Sequence, residues 1–272
     1  MNFLRLSLLL LAGSAGAETF DHSGWDRILH ASVNQRGEVD YAAIKANPQS
    51  LAAYVARLAG ASPDNHPELF PSREDELAYW INAYNALTTY GVALKYPVKS
   101  VKDVGFLFGF FRRADYQLGG KKLSLMTLEN SIIRGRYAEP RIHFAIVCAS
   151  LSCPKLSRSA YTAANLNAQL EFQAQQYFRE TRNLAIDAKA NRITLAAILD
   201  WYKADFEKFT GATAPLALLS YARRYASVEQ QRAIDALKSP KIGFREYDWS
   251  INDPGSRQKA KSAEERELSR PE

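Results

Sequence analysis

The run His143-Phe-Ala-Ile-Val-Cys-Ala-Ser-Leu-Ser-Cys-Pro154 holds both cysteines of the chain, one of its four histidines and two serines. A thiolate nucleophile needs a neighbouring base and a lowered pKa. Cys148 is the residue to attack and His143 the one to move the proton, since His22, His30 and His66 have more polar neighbours. Glu129 lies in an otherwise apolar stretch (Leu125, Met126, Leu128, Ile132, Ile133), where a carboxylate is costly without a partner. It is the expected third member, orienting the imidazole, unless it is salt-bridged to Arg112, Arg113 or Arg134. Backbone N–H groups from Ala149 to Ser152 would then receive an oxyanion. Two thiols so close in sequence are equally a disulfide, Cys148–Cys153, if the chain reaches an oxidising compartment.

Geometry constrains the first reading. Continuous apolar character over Ile142–Cys148 predicts a buried strand. Five residues of strand advance roughly 16 Å and end on the opposite face. A Cys148–His143 dyad therefore requires a bulge, a chain reversal, or a base from elsewhere. Asn82 and Asn85 supply a second set of polar groups. They fall on one stripe of a helix with Ala78 and Thr89, although Asn is a mediocre helix former. They bind a ligand, together with Ser150 and Ser152, or they tie neighbouring loops to the helix. The motifs His-Glu-x-x-His, Cys-x-x-Cys, Gly-x-Gly-x-x-Gly and Gly-x-Ser-x-Gly are absent, so neither a metal nor a nucleotide cofactor is expected.

The elements that must position these groups are punctuated clearly. Ser72, with Asp75 three residues on, caps a helix that runs to Lys95 and stops before Pro97. Helices are also predicted over 23–34 and 51–58, from Leu125 to Arg134, over 162–181, from Leu195 through Phe206, and over 214–225 and 227–238. Gly119-Gly120 marks a hairpin over 115–124, Lys189-Ala-Asn191 a second over 184–195, and Phe244–Trp249 a closing strand. The expectation is one α+β domain over 18–253, with many helices around a small, mainly antiparallel sheet. In the enzyme reading the arrangement would be papain-like or transglutaminase-like.

The first 17 residues have a basic start at Arg5, an apolar run from Leu6 to Ala12 and a small-residue site at Ala15-Gly16-Ala17. That is the pattern of a cleaved secretory signal, too short for an anchor. Export to the periplasm or beyond is expected, with no transmembrane anchor after cleavage. The formal net charge of +6 on 272 residues comes from no dense basic run, so nucleic acid is not an expected partner. Residues 254–272 are charged and nearly devoid of large apolar groups, as in a disordered tail.

Five segments resemble, in order, the family known as domain of unknown function 547. They are Gly37–Tyr41, Leu77–Leu87 with its Trp-Ile-Asn-Ala-Tyr-Asn core, Leu125–Arg134, His143–Pro154 and Glu246–Asn252. The resemblance implies a shared fold and site location and carries no reaction with it. Two functions fit the residues. One is a thiol hydrolase or acyltransferase acting on a peptide-like amide through Cys148, His143 and Glu129. The other is a non-catalytic binding module for a small polar ligand or envelope partner, with Asn82, Asn85, Ser150 and Ser152 at the ligand and Cys148–Cys153 as a staple.

Overall fold

The computed structural model describes residues 18–105, 109–113 and 116–258; residues 1–17, where a secretory signal is expected, and residues 259–272 lie outside these. The architecture is α+β, in one domain. Helices α2 (Tyr41–Ala46) and α3 (Gln49–Gly60), the latter backed by α1 (Ser23–Ser32), pack on α4 (Arg73–Lys95), which is buried on nearly every side from Leu77 to Thr89. A helix without a solvent face belongs at the centre of a core. Ser72 Oγ accepts from the Asp75 N–H and the Asp75 carboxylate accepts from the Ser72 N–H, each at 3.1 Å, closing the predicted capping box.

Short α5 (Gly109–Arg112) leads to the hairpin of β1 (Tyr116–Leu118) and β2 (Lys121–Leu123). Its Gly119 has a φ of +52° and presses its backbone on α3, donating to Leu58 O at 3.0 Å. A side chain there would strike Ser62, so only glycine makes the turn. Helix α6 (Leu125–Thr127) passes without a break into a π-helical stretch, Leu128–Ile133, and then α7 (Arg134–Arg136).

The predicted strand over Ile142–Cys148 is not formed. Pro140–Phe144 is a 3-10 helix, started by Pro140 and capped by the Glu139 side chain on the Arg141 N–H at 3.1 Å; only the residues after Ala145 run extended. A short apolar run does not separate a buried strand from a buried helical turn, and proline at the first position decides for the turn. This segment joins two cores. Ile142, Ala145, Ile146 and Val147 enter the one around α4. Phe144 enters the second, with Phe178, Leu195, Phe206 and Tyr221.

The second core is built by α8 (Leu166–Arg179), the strands β3 (Leu184–Asp187) and β4 (Arg192–Leu195), and then α9 (Ala197–Trp201), α10 (Lys203–Thr210), α11 (Leu216–Tyr225) and α12 (Val228–Asp235). β3 and β4 are antiparallel, with Leu184 opposite Leu195. β5 (Lys241–Phe244) joins β4 in parallel, which the four-helix crossover permits. The helix expected from Leu195 through Phe206 is two helices meeting at Tyr202. The closing strand lies earlier than expected, since the chain leaves the sheet after Arg245 and its next residues pair elsewhere: Asp248 N–H with Ser152 Oγ at 2.8 Å, and Trp249 O with Val101 N–H at 3.2 Å. Residues 254–258, at the start of the charged tail segment, form a helical turn. Among the described residues no helix is long and apolar enough to cross a membrane.

Candidate functional site

A cavity of about 280 Å³ opens between the two cores, lined by Tyr84 of α4, Glu129 and Asn130 of the π-helical stretch, His143, Cys148, Cys153, and, from the far side, Ile198, Trp201, Tyr202, Tyr247 and Trp249. The 3-10 turn shortens the path from His143 to Cys148, so both reach the same hollow. The structure therefore brings together His143, Cys148 and Glu129.

Their partners differ from expectation. His143 is buried and its Nε2 meets Asp205 Oδ2 at 2.7 Å, while Tyr202 stacks on its ring at 4.1 Å between centroids. A carboxylate accepts only, so Nε2 carries the proton and Nδ1 is left as the acceptor. Burial pulls the His143 pKa below its ordinary value, and Asp205 offsets part of that. Burial by itself would raise Asp205, but hydrogen bonds from His143 and Arg134 prevail and hold it below the ordinary carboxylate range. Arg134 grips Asp205 at two points, 2.7 and 3.0 Å. Asp205, on α10, is thus the residue that orients His143.

Glu129 does something else. Its carboxylate accepts from the Tyr84 hydroxyl at 3.1 Å and from the Tyr202 hydroxyl. Burial, reinforced by Glu129 itself, raises the pKa of both phenols, so they persist as donors. The salt bridge expected for Glu129 goes instead from Arg134 to Asp205. π-helical insertions recur at functional sites, and this one carries Glu129 and Asn130, which both line the cavity.

Cys148 and Cys153 stand at disulfide distance, their Cα atoms 6.3 Å apart, inside the usual range. Ala149, at φ +68°, supplies the sharp reversal between them. The Tyr247 hydroxyl lies 3.1 Å from Cys148 Sγ and 3.2 Å from Cys153 Sγ, and accepts from Ser150 Oγ at 2.8 Å. The backbone expected to form an oxyanion hole is partly engaged: Leu151 N–H donates to Ser250 O and Ser152 N–H to Asp248 O.

Asn82, Asn85, Ser150 and Ser152 do not line the cavity. Asn82 exchanges hydrogen bonds with the backbone of Tyr161 at 2.8 and 2.9 Å. Asn85 donates to Ala145 O and accepts from the Val147 N–H, both at 2.9 Å. Ser150 holds Tyr247, and Ser152 accepts from Asp248. These four tie loops to their supports. The aromatic wall was missed: Trp201, Tyr247 and Trp249 form a mutual cluster with centroid separations of 4.5–5.7 Å. Its only trace in the sequence is the aromatic content of Tyr247-Asp-Trp249 and of Trp201-Tyr202.

A family model described as "Protein of unknown function, DUF547" matches residues 69–178. The match takes in the central part of the chain and supports its likeness to that family. The matched segment contributes Tyr84, Glu129, His143 and the two cysteines to the cavity; Trp201, Tyr202, Tyr247 and Trp249 come from beyond it. No curated protein and no solved structure matches the chain. Among the described residues no cluster of three or more His, Cys, Asp or Glu is placed to hold a metal ion.

Proposed function

We propose that this is an exported binding protein whose cavity takes a small ligand with an apolar body, and that Cys148–Cys153 staples the loop beneath it. The observation that carries this reading is a small hollow walled by Tyr84, Trp201, Tyr202, Tyr247 and Trp249 in which the two cysteine sulfurs stand at disulfide distance. Apolar walls with a few placed polar groups are what ligand pockets are made of. A sulfur committed to its neighbour is not a nucleophile. The ligand contacts fall to the aromatic wall, because the amides and serines are engaged within the protein.

A thiol hydrolase is the second reading. It is favoured by one observation, an imidazole oriented by Asp205 in the same hollow as Cys148. In that form the pair would first have to be reduced, and Asp205, not Glu129, would hold the base.

One experiment separates the two. The oxidised protein is titrated with 2-phenylethanol, following tryptophan emission, to which Trp201 and Trp249 contribute with Trp25 and Trp80, and then assayed with and without reductant for hydrolysis of a p-nitrophenyl ester. Saturable binding, weakened at least tenfold in W201A or W249A, with no hydrolysis in either state, is the expected result. Ester hydrolysis that appears on reduction and vanishes in C148S and in H143N would replace binding with catalysis.

A further inference from the structure

We propose that the ligand is a cation, an alkyl- or arylammonium whose charged head sits on Glu129 while its apolar body lies against Trp201 and Trp249. The inference deepens the binding reading and rests on it.

Glu129 lies at the wall of an apolar hollow and, among the described residues, has no ion pair. The guanidinium nearest in sequence, Arg134, is committed to Asp205 through two hydrogen bonds. Tyr84 and Tyr202 donate to the carboxylate but bring no charge. A carboxylate offers about four lone-pair directions, so two phenols leave room for the N–H groups of an ammonium. The rest of the lining suits the same guest. His143 gives its Nε2 proton to Asp205 and burial keeps the ring neutral, so it does not repel a cation. Arg112, the one cation of the lining, is an exposed side chain.

The rings supply the second half of the argument. Aromatic faces carry negative quadrupole potential and hold cations within about 6 Å of their centroids. Two rings of this wall already do so: the Lys102 ammonium lies 4.9 Å from the Trp249 centroid and the Arg134 guanidinium 4.7 Å from that of Tyr202. Trp201, 48% exposed and beside Trp249, presents a further indole at the mouth. A carboxylate without an ion pair of its own, framed by such rings, selects a positive charge over a neutral or negative head on the same body.

Three probes sharing one phenyl group test this: phenethylammonium, 2-phenylethanol and 3-phenylpropionate, titrated calorimetrically into wild type and E129Q. Phenethylammonium is expected to bind wild type at least tenfold tighter than the alcohol, and the propionate weakest. In E129Q the advantage of the amine over the alcohol should shrink to within twofold. Equal affinity of amine and alcohol for wild type, or a preference for the propionate, overturns the cation inference and leaves apolar binding standing. Binding of none of the three ends both readings. Should E129Q not fold, the wild-type ratio of amine to alcohol decides alone.

Discussion

Replacing Asn85 by alanine tests how the site is held. Asn85 is 2% exposed, and its amide hydrogen-bonds α4 to the backbone of 145–147, the lead-in to Cys148. The substitution strips a donor from Ala145 O and an acceptor from the Val147 N–H. Each orphaned buried group costs about 1–3 kcal/mol, so N85A should lose about 2–6 kcal/mol. With a urea m-value of about 3 kcal/mol per M, the unfolding midpoint would fall by roughly 1–2 M. N85D is the sharper control: an aspartate keeps the acceptor for Val147, loses the donor to Ala145, and buries a charge. It should cost at least as much as alanine. If Asn85 were instead a ligand contact facing water, both variants would unfold within 0.5 kcal/mol of wild type, and that result would refute the tether.

Other outcomes follow from the same contacts. N82A should lose a comparable amount, since it strands the N–H and C=O of Tyr161. D205N removes the bidentate partner of the half-buried Arg134 along with the His143 bond and should cost about 1–3 kcal/mol; equal stability of wild type and D205N in urea would show the network to be idle. His22 is drawn by burial from 6.5 down to about 4 while hydrogen-bonded to the Tyr54 hydroxyl at 2.7 Å. The unfolded chain therefore takes up a proton before the native one, and stability should decline by about 1–2 kcal/mol from pH 7 to pH 4, after allowance for partial solvent screening. His143 titrates in the same direction, so H22N should make the slope shallower without abolishing it; an unchanged slope would contradict the assignment. Finally, C148A/C153A opens only a short loop and should cost no more than about 2 kcal/mol. A much larger loss would mean the sulfurs support the fold beyond closing that loop.

Local signals carried most of the architecture. The Ser72 capping box, the stop before Pro97 and the glycine turn of the first hairpin each need only a few adjacent residues, and each is in place. The cavity is a different kind of object. Glu129 is bound to Tyr84 and Tyr202, 45 and 73 positions away, and His143 to Asp205, 62 positions away. Tyr247 reaches Cys148 across 99 positions. No periodicity in a single chain encodes such pairings. The sequence brought His143, Cys148 and Glu129 to attention through their types, and the structure reassigned what each one touches. Asp205 escaped notice because a carboxylate three residues after Tyr202 on an amphipathic helix reads as part of its solvent face.

The misread strand is also what makes the site. A strand through Ile142–Cys148 would alternate its side chains between two faces and set His143 and Cys148 apart. A 3-10 turn repeats every three residues, so Ile142 and Ala145 return to the core around α4 while Phe144 crosses to the second core. His143, between them, is left beside Tyr202 and Asp205 at the seam. The chain then extends, reverses at Ala149 and delivers both sulfurs to the same seam. On this account the turn is sustained by two cores pulling on successive residues, with Pro140 and Glu139 fixing where it starts. F144A, which empties the second anchor, should therefore cost about 3–5 kcal/mol and also disturb His143, detectable as a shift of its imidazole resonances. An F144A protein that loses stability while those resonances stay in place would show that Asp205 and Tyr202 position the ring without help from the turn.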